Sequence, residues 1–300
     1  MRVFVTGATA FIGSALVPEL IKAGHQVLGL TRSDAGAKSL AAAGAEVHRG
    51  SLEDLESLKS GAAKSDGVIH LAFNHDFSKY VGNCEADRAA IEAMGSVMVD
   101  SDRPFVVTAG IAVNAPGGPA TEDDPPAKVM PRAASELAAE AVNARGVRAS
   151  IVRLPQVHDQ YKQGLITPLI EIAREKGVSA YVGDGNNRWP GVHLLDCAHL
   201  YVLAPEKGSA GARYHAVAEE GVRLRDIAQL IGRRLNLPIV AKSPAQAVDH
   251  FGWLGMFAGR DGAASSAQTR ERLGWRPAGP GLIADLDGRT ISKSNFSRSL

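Results

Sequence analysis

The stretch VFVTGATAFIGSAL at residues 3–16 constrains this chain more than any other. An apolar, β-favouring run ends at Thr6, small residues follow, and a helix pattern opens near Phe11. The spacing is Gly7-x-x-Ala10-x-x-Gly13. Gly7 permits a tight turn, a small residue at 10 lets backbone approach a diphosphate, and Gly13 lets the helix pack close to the strand. A helix N-terminus at this point offers N–H groups and partial positive charge to phosphates. A basic start and an apolar middle also fit a signal peptide. The strand–turn–helix reading is preferred because the same alternation continues downstream.

Candidate strands lie at 2–6, 26–30, 46–48, 67–72, 105–109 and 149–154, with helix patterns near 12–24, 35–44, 52–62, 84–99 and 131–145. Such alternation predicts a doubly wound parallel sheet of the Rossmann type, with helices on both faces. After residue 155 the pattern becomes irregular. GDGNNRWPG (183–191) reads as a loop and RYHAVA (213–218) as a short strand, while 192–207, 224–236 and 265–275 read as helices. The expected organisation is a dinucleotide-binding domain over 1–155, to which 192–207 returns. A smaller, discontinuous α/β substrate lobe follows over 156–287, then a polar, flexible tail over 288–300.

Composition narrows the partners. A net charge of +1 gives no footprint for nucleic acid. No uncharged apolar run reaches the about 18 residues of a membrane span. Cys84 and Cys197 are the only cysteines and lack metal-ligand spacing, so they read as buried thiols of a cytoplasmic protein, with no zinc site. A small-molecule substrate, and a monomer or homodimer, are the expectations.

The second strand runs into Thr31-Arg32-Ser33. An acidic residue here would hold the ribose hydroxyls of NAD. Arg32 can instead pair with a 2′-phosphate, with Ser33 adding a hydroxyl, which favours NADP(H) over NAD(H). The plainer reading of Arg32 is a solvated loop arginine.

With TGATAFIG at the start, VIHLA after the fourth strand, SELAAEA on the later helix and VHLLDCA at 192–198, the chain resembles the short-chain dehydrogenase/reductase superfamily. Within it, the chain is similar to the extended and atypical branch, the NAD-dependent epimerase/dehydratase-like proteins. The resemblance implies a diphosphate loop formed by Gly7, Thr9, Ala10, Phe11 and Ile12. It implies adenine contacts from Ser51 and Leu52, although Ser51 replaces the usual acidic residue. Leu71, Ala72 and Phe73 would line the cofactor's ribose side, and Leu154 and Pro155 would pass the nicotinamide carboxamide. Thr108 falls where a catalytic serine or threonine is expected. Dimerisation through the helix at 131–145 is a further implication.

One departure stands out. The branch carries Tyr-x-x-x-Lys on the helix after the fifth strand, the tyrosine acting as general acid/base and the lysine tuning it. SELAAE aligned with the usual SKLAAE puts Arg132 at the tyrosine position and Glu136 at the lysine position. None of the five tyrosines (80, 161, 181, 201 and 214) has lysine four residues on. Arg132 can polarise a carbonyl but, as a fixed cation, is a poor proton donor. Glu136 can orient Arg132 or bind ribose hydroxyls. The plainer alternative is a solvated Arg–Glu pair on one helix stripe.

His158, Tyr161 and His193 are further candidates near a substrate, a histidine being able to donate a proton near neutral pH. For a lone histidine a structural hydrogen bond is the commoner fate. Phe73, Trp189, Phe251 and Trp253 can form an apolar substrate wall, though core packing is commoner. These features point first to an NADP(H)-dependent oxidoreductase acting on a small or medium carbonyl, alcohol or activated alkene. A non-catalytic NADP(H) sensor and a redox-neutral isomerase or epimerase are the alternatives.

Overall fold

The structure, a computed structural model, describes residues 1–111 and 118–288. The polar tail from residue 289 onward therefore lies outside the described residues. The chain divides into two compact units, the first comprising 1–155, 194–217 and 264–278, and the second 156–193, 218–263 and the segment from 279.

The first unit opens with β1 (Arg2–Thr6), α1 (Phe11–Lys22), β2 (Gln26–Thr31), α2 (Asp34–Ala42), β3 (Glu46–Arg49), α3 (Leu55–Ala63) and β4 (Gly67–His70). It continues with α4 (Tyr80–Ser96), β5 (Phe105–Gly110), α5 (Ala133–Asn143) and β6 (Ala149–Leu154). The second unit then supplies β7 (Gln156–His158), α6 (Ile166–Lys176), β8 (Ser179–Val182) and β9 (Arg188–His193). The chain returns to the first unit through α7 (Leu194–Lys207) and β10 (Arg213–His215).

The first unit's sheet has seven parallel strands in the order β10-β6-β5-β4-β1-β2-β3. The winding direction reverses between β1 and β4, which makes their carboxyl ends the topological switch point, the usual ligand position in open α/β sheets. The last residues of these two strands, Thr6 and His70, stand directly opposite each other. The strands read as continuous apolar runs because both faces are covered. Phe4, Val68, Phe105 and Val107 pack with Ile91 and Met94 of α4 and with Val142 of α5.

The remaining elements are β11 (Glu219–Arg223), α8 (Leu224–Leu235), β12 (Ile239–Lys242), α9 (Pro244–Phe251), α10 (Gly255–Ala258), α11 (Ala267–Leu273) and α12 (Leu282–Gly288). In the second unit β11, β9 and β7 form one small sheet in that order, and β12 pairs with β8 in parallel. Helix α8 buries Leu224, Ile227, Leu230 and Ile231 against Trp189 and Phe251, so these two aromatics serve the core.

The sequence-derived boundaries need three corrections. Arg213–His215 extends the large sheet instead of the small lobe, because it pairs in parallel with Ile151–Arg153. Helix α11 also belongs to the first unit, through the His215 amide, which donates to the Thr269 hydroxyl at 2.7 Å. Lastly, RWPGVH is a strand and not a loop. Pro190 is tolerated there because the β9–β11 register shifts between Glu219 and Val222, beside it, so no ladder bond requires its missing N–H.

Candidate active site

The glycine-rich turn has the geometry its spacing suggested. Gly7 has φ +68°, and a Cβ there would lie 2.8 Å from the Ala72 amide nitrogen. A Cβ on Gly13 would lie 2.1 Å from the Gly7 carbonyl oxygen, so only glycine lets α1 start this close to β1. Ala10 occupies the N-cap position of α1 in extended conformation. Among the described residues no side chain caps this helix, and its first turn carries no acidic residue to offset the positive end of its dipole. Thr9 and Ala10 are exposed, and Phe11 and Ile12 are half-buried.

At the end of β2, Thr31 and Ser33 build a tight turn. The Ser33 hydroxyl caps α2 by accepting from the Gly36 amide at 3.0 Å. Arg32 is exposed and has no hydrogen-bond or ion-pair partner among the described residues. The Glu53 carboxyl is held below the usual range first by the nearby Ser51 hydroxyl and to a lesser degree by the charge of Arg32. Leu52 packs against the core. Leu71, Ala72, Leu154 and Pro155 are half-buried just past the ends of β4 and β6.

Arg132 is the centre of a buried polar network at the switch point. Its Nη1 donates to Asp87 Oδ2 and to Ser135 Oγ, both at 2.6 Å, and its Nη2 donates to the Thr108 carbonyl at 3.1 Å. The guanidinium lies 4.0 Å over the Phe73 ring. Three of its five N–H groups are thereby used. Asp87 is 1% exposed and also binds His70 Nε2 at 3.0 Å through Oδ1. His70 Nδ1 lies 2.7 Å from the Thr6 hydroxyl, which in turn accepts from the Ala72 amide. Burial acts to raise the Asp87 pKa, but Arg132, His70 and Ser135 outweigh it and bring the carboxyl down to about 2. Its ionised form makes Nε2 of His70 the donor, so in the neutral ring Nδ1 accepts from Thr6.

Thr108 does not present a free hydroxyl: Oγ1 is 2.7 Å from the phenol of Tyr201, which burial pushes well above its ordinary pKa. The network thus contains several residues not singled out from the sequence, among them His70, Asp87, Ser135 and Tyr201. Two signals pointed to the first two. A histidine within an apolar strand requires a partner. Asp87 interrupts the otherwise apolar buried stripe Cys84, Ile91, Met94 on α4.

Glu136 is not Arg132's partner. Arg153 grips it through two bonds at 2.9 and 2.8 Å, and Arg213 adds a third at 3.3 Å. Glu136 and Arg153 are 2% and 0% exposed. The expected Arg132–Glu136 pair does not form because Asp87, Ser135 and the Thr108 carbonyl take the guanidinium, while Arg153 and Arg213 take the Glu136 carboxylate. Arg153 Nη1 also donates to His215 Nε2 at 3.2 Å, which fixes the ring as the Nδ1–H tautomer donating to the Ser265 carbonyl at 2.7 Å.

Burial, and to a lesser extent Arg153, lower the His215 pKa from 6.5 to about 4, against an opposing pull from Glu122. A folded-state pKa below the unfolded one means that the unfolded chain binds the proton more tightly. The stability it contributes is therefore complete above about pH 6.5 and is lost as pH falls toward 4. Urea unfolding at pH 7.5 and pH 5 should show wild type losing stability on acidification and His215→Gln losing clearly less. Equal losses would remove His215 as the cause.

In the second unit His158 is fully buried. Its Nδ1 meets Asp285 Oδ2 at 2.7 Å, and burial lowers its pKa. His193 packs against it with ring centroids 6.0 Å apart. The bond to Asp285 ties α12 to the small sheet, which gives His158 a structural use. Tyr161 is 73% exposed, in a turn whose amides bond to the Asp159 carboxylate, and Trp253 is 40% exposed. Cys84 and Cys197 are buried thiols. Among the described residues no cluster of three or more His, Cys, Asp or Glu side chains is placed to hold a metal, and no helix is long and apolar enough to cross a membrane.

Comparison with known proteins agrees with this architecture. Residues 3–218 match the NAD dependent epimerase/dehydratase family. An uncharacterized protein of Schizosaccharomyces pombe is 47% identical over 289 residues, covering 95% of this chain and 98% of its own. An uncharacterized protein of Saccharomyces cerevisiae is 46% identical over 293 residues, again covering 95% and 98%. The crystal structure of dTDP-glucose 4,6-dehydratase from Streptomyces venezuelae with NAD and TYD bound shares the fold, with a TM-score of 0.75 at 20% identity over 96% of each chain. A family match running from the glycine-rich turn through the seventh strand of the sheet means that the chain belongs to the NAD dependent epimerase/dehydratase family.

Proposed function

We propose that this chain is an NADP(H)-dependent oxidoreductase acting on a small or medium carbonyl, alcohol or activated alkene. The observation that carries this reading is Arg132, a cation fixed at the switch point with two N–H groups, Nε–H and one on Nη2, unused among the described residues. The residues around it fit a dinucleotide. A Cβ at Gly7 or Gly13 would fill the turn, and the uncapped start of α1 suits a diphosphate. Arg32 and Ser33 would take the 2′-phosphate of NADP(H). When bound, the nicotinamide supplies or accepts the hydride.

The protein's part is electrostatic. Arg132 stabilises negative charge developing on the substrate oxygen, and the charge of Asp87 keeps the guanidinium from relaxing toward solvent. Phe73 covers one face of the guanidinium and excludes water from it. The Thr108 carbonyl fixes the other nitrogen, and the Tyr201–Thr108 bond keeps that end of β5 rigid. In this arrangement Arg132 takes the charge-stabilising half of the absent tyrosine's task.

A panel of aldehydes, ketones and α,β-unsaturated carbonyls assayed with NADPH tests the reading. Wild type should turn over members of the panel, and Arg132→Gln should lose about 100-fold in kcat while binding NADPH within about twofold of wild type. Tight NADPH binding without turnover of any compound would overturn it.

A further inference from the structure

We propose that Arg49 is a second cofactor-specificity residue, which favours NADPH by holding the carboxylate of Asp34 away from the 2′-phosphate position. The inference rests on the reading of NADP(H) as the cofactor and deepens it. The segment Arg32-Ser33-Asp34 carries mixed instructions. Arg32 attracts a 2′-phosphate, whereas an acidic residue at this turn accepts from ribose hydroxyls and repels a phosphate. The sequence alone does not decide between them.

The fold does. Arg49 is the last residue of β3 and stands opposite Thr31, the last residue of β2, so both strands deliver their following residues to the same edge. Arg49 Nη2 meets Asp34 Oδ1 at 2.5 Å. The start of α2 is packed tightly on this turn: the Gly36 amide donates to the Ser33 hydroxyl at 3.0 Å, and a Cβ on Gly36 would lie 2.2 Å from the Thr31 hydroxyl. Asp34 is thus neutralised sideways along the sheet edge, while Arg32 keeps no ion-pair partner among the described residues. Glu53, the other carboxylate in the field of Arg32, is engaged by the Ser51 hydroxyl. Removing Arg49 would release a negative charge two residues from Arg32 and delete one positive charge from the same edge.

The pair is exposed, with side-chain accessibilities of 50% for Arg49 and 89% for Asp34. Exposed pairs of this kind contribute little to folding, so the effect on cofactor choice is separable from stability. Fluorescence titration of the full chain with NADPH and with NADH at low ionic strength provides the test, with thermal melts to confirm folding. Wild type should prefer NADPH. Arg49→Ala should weaken NADPH about tenfold and leave NADH within about twofold, and the difference should shrink at high salt. Adding Asp34→Asn to Arg49→Ala should restore most of the lost NADPH affinity.

An unchanged NADPH/NADH ratio in Arg49→Ala, or no recovery in the double variant, would overturn the proposal while leaving the NADPH preference of wild type intact. A wild type that prefers NADH would instead overturn the cofactor reading, and the role of Arg49 with it.

Discussion

Glu136→Ala should destabilise the protein by about 3–5 kcal/mol, the range for breaking a buried ion pair from one side, whereas Glu140→Ala, one turn further along α5, should change stability by less than about 1 kcal/mol. Both glutamates bond to arginines: Glu136 to Arg153 and Arg213, and Glu140 to Arg213 at 2.5 Å. What separates them is water. Glu140's side chain is 44% exposed and its loss is repaired by solvent. Glu136 and Arg153 are sealed, so removing the carboxylate leaves a buried guanidinium whose remaining bonds among the described residues go to His215 and to the Thr121 and Asp124 carbonyls. For a unit of this size the larger loss corresponds to a drop in Tm of about 10 °C. Denaturant unfolding of the two variants side by side makes the comparison. If Glu136→Ala proved as stable as wild type yet bound NADPH poorly, the glutamate would be serving the cofactor, as its alignment with the usual lysine suggested.

That contrast shows where sequence reading stops. The parallel sheet was legible because β-branched runs and helix patterns alternate cleanly, and the glycine-rich strand–turn–helix because small residues at three fixed positions have few other uses. Alignment singled out Arg132 and Thr108, which the fold brings together through the Thr108 carbonyl, but it did not give their other partners. Glu136's partners come from β6 and from β10, and the three-residue β10 joins the sheet only after the chain has traversed part of the second unit. No local pattern encodes such a pairing. Asp87 lies 45 residues before Arg132, and Tyr201 lies 93 residues after Thr108. Pro190 misled for a different reason: a proline argues against a strand unless the partner strand bulges beside it, and the bulge belongs to β11.

Asp87 carries the second large effect, on stability and chemistry together. Its two oxygens hold Arg132, Ser135 and His70, and its side chain is 1% exposed. Asp87→Leu should therefore lose about 3–5 kcal/mol, as should Arg132→Leu, because each strands the other's charge. The double variant Asp87→Leu/Arg132→Leu should recover most of that loss, since no buried charge of the pair remains. A double variant as unstable as the two single losses added together would mean that the residues act independently. The acid limb gives a second signature. With a folded pKa of about 2 against an ordinary 3.8, Asp87 contributes about 2 kcal/mol that is complete above about pH 4 and is lost as pH falls toward 2. Asp87→Asn should flatten this limb. It should also lower kcat about 100-fold, because an amide cannot fix the guanidinium by charge, while NADPH affinity changes little. Among the described residues the hydrogen bonds that link the glycine-rich turn to Asp87 run through Thr6 and His70, and those two should keep their own hydrogen bond when the carboxylate is gone. An Asp87→Asn enzyme that lost NADPH binding as severely as turnover would place the network in service of the cofactor loop instead of Arg132.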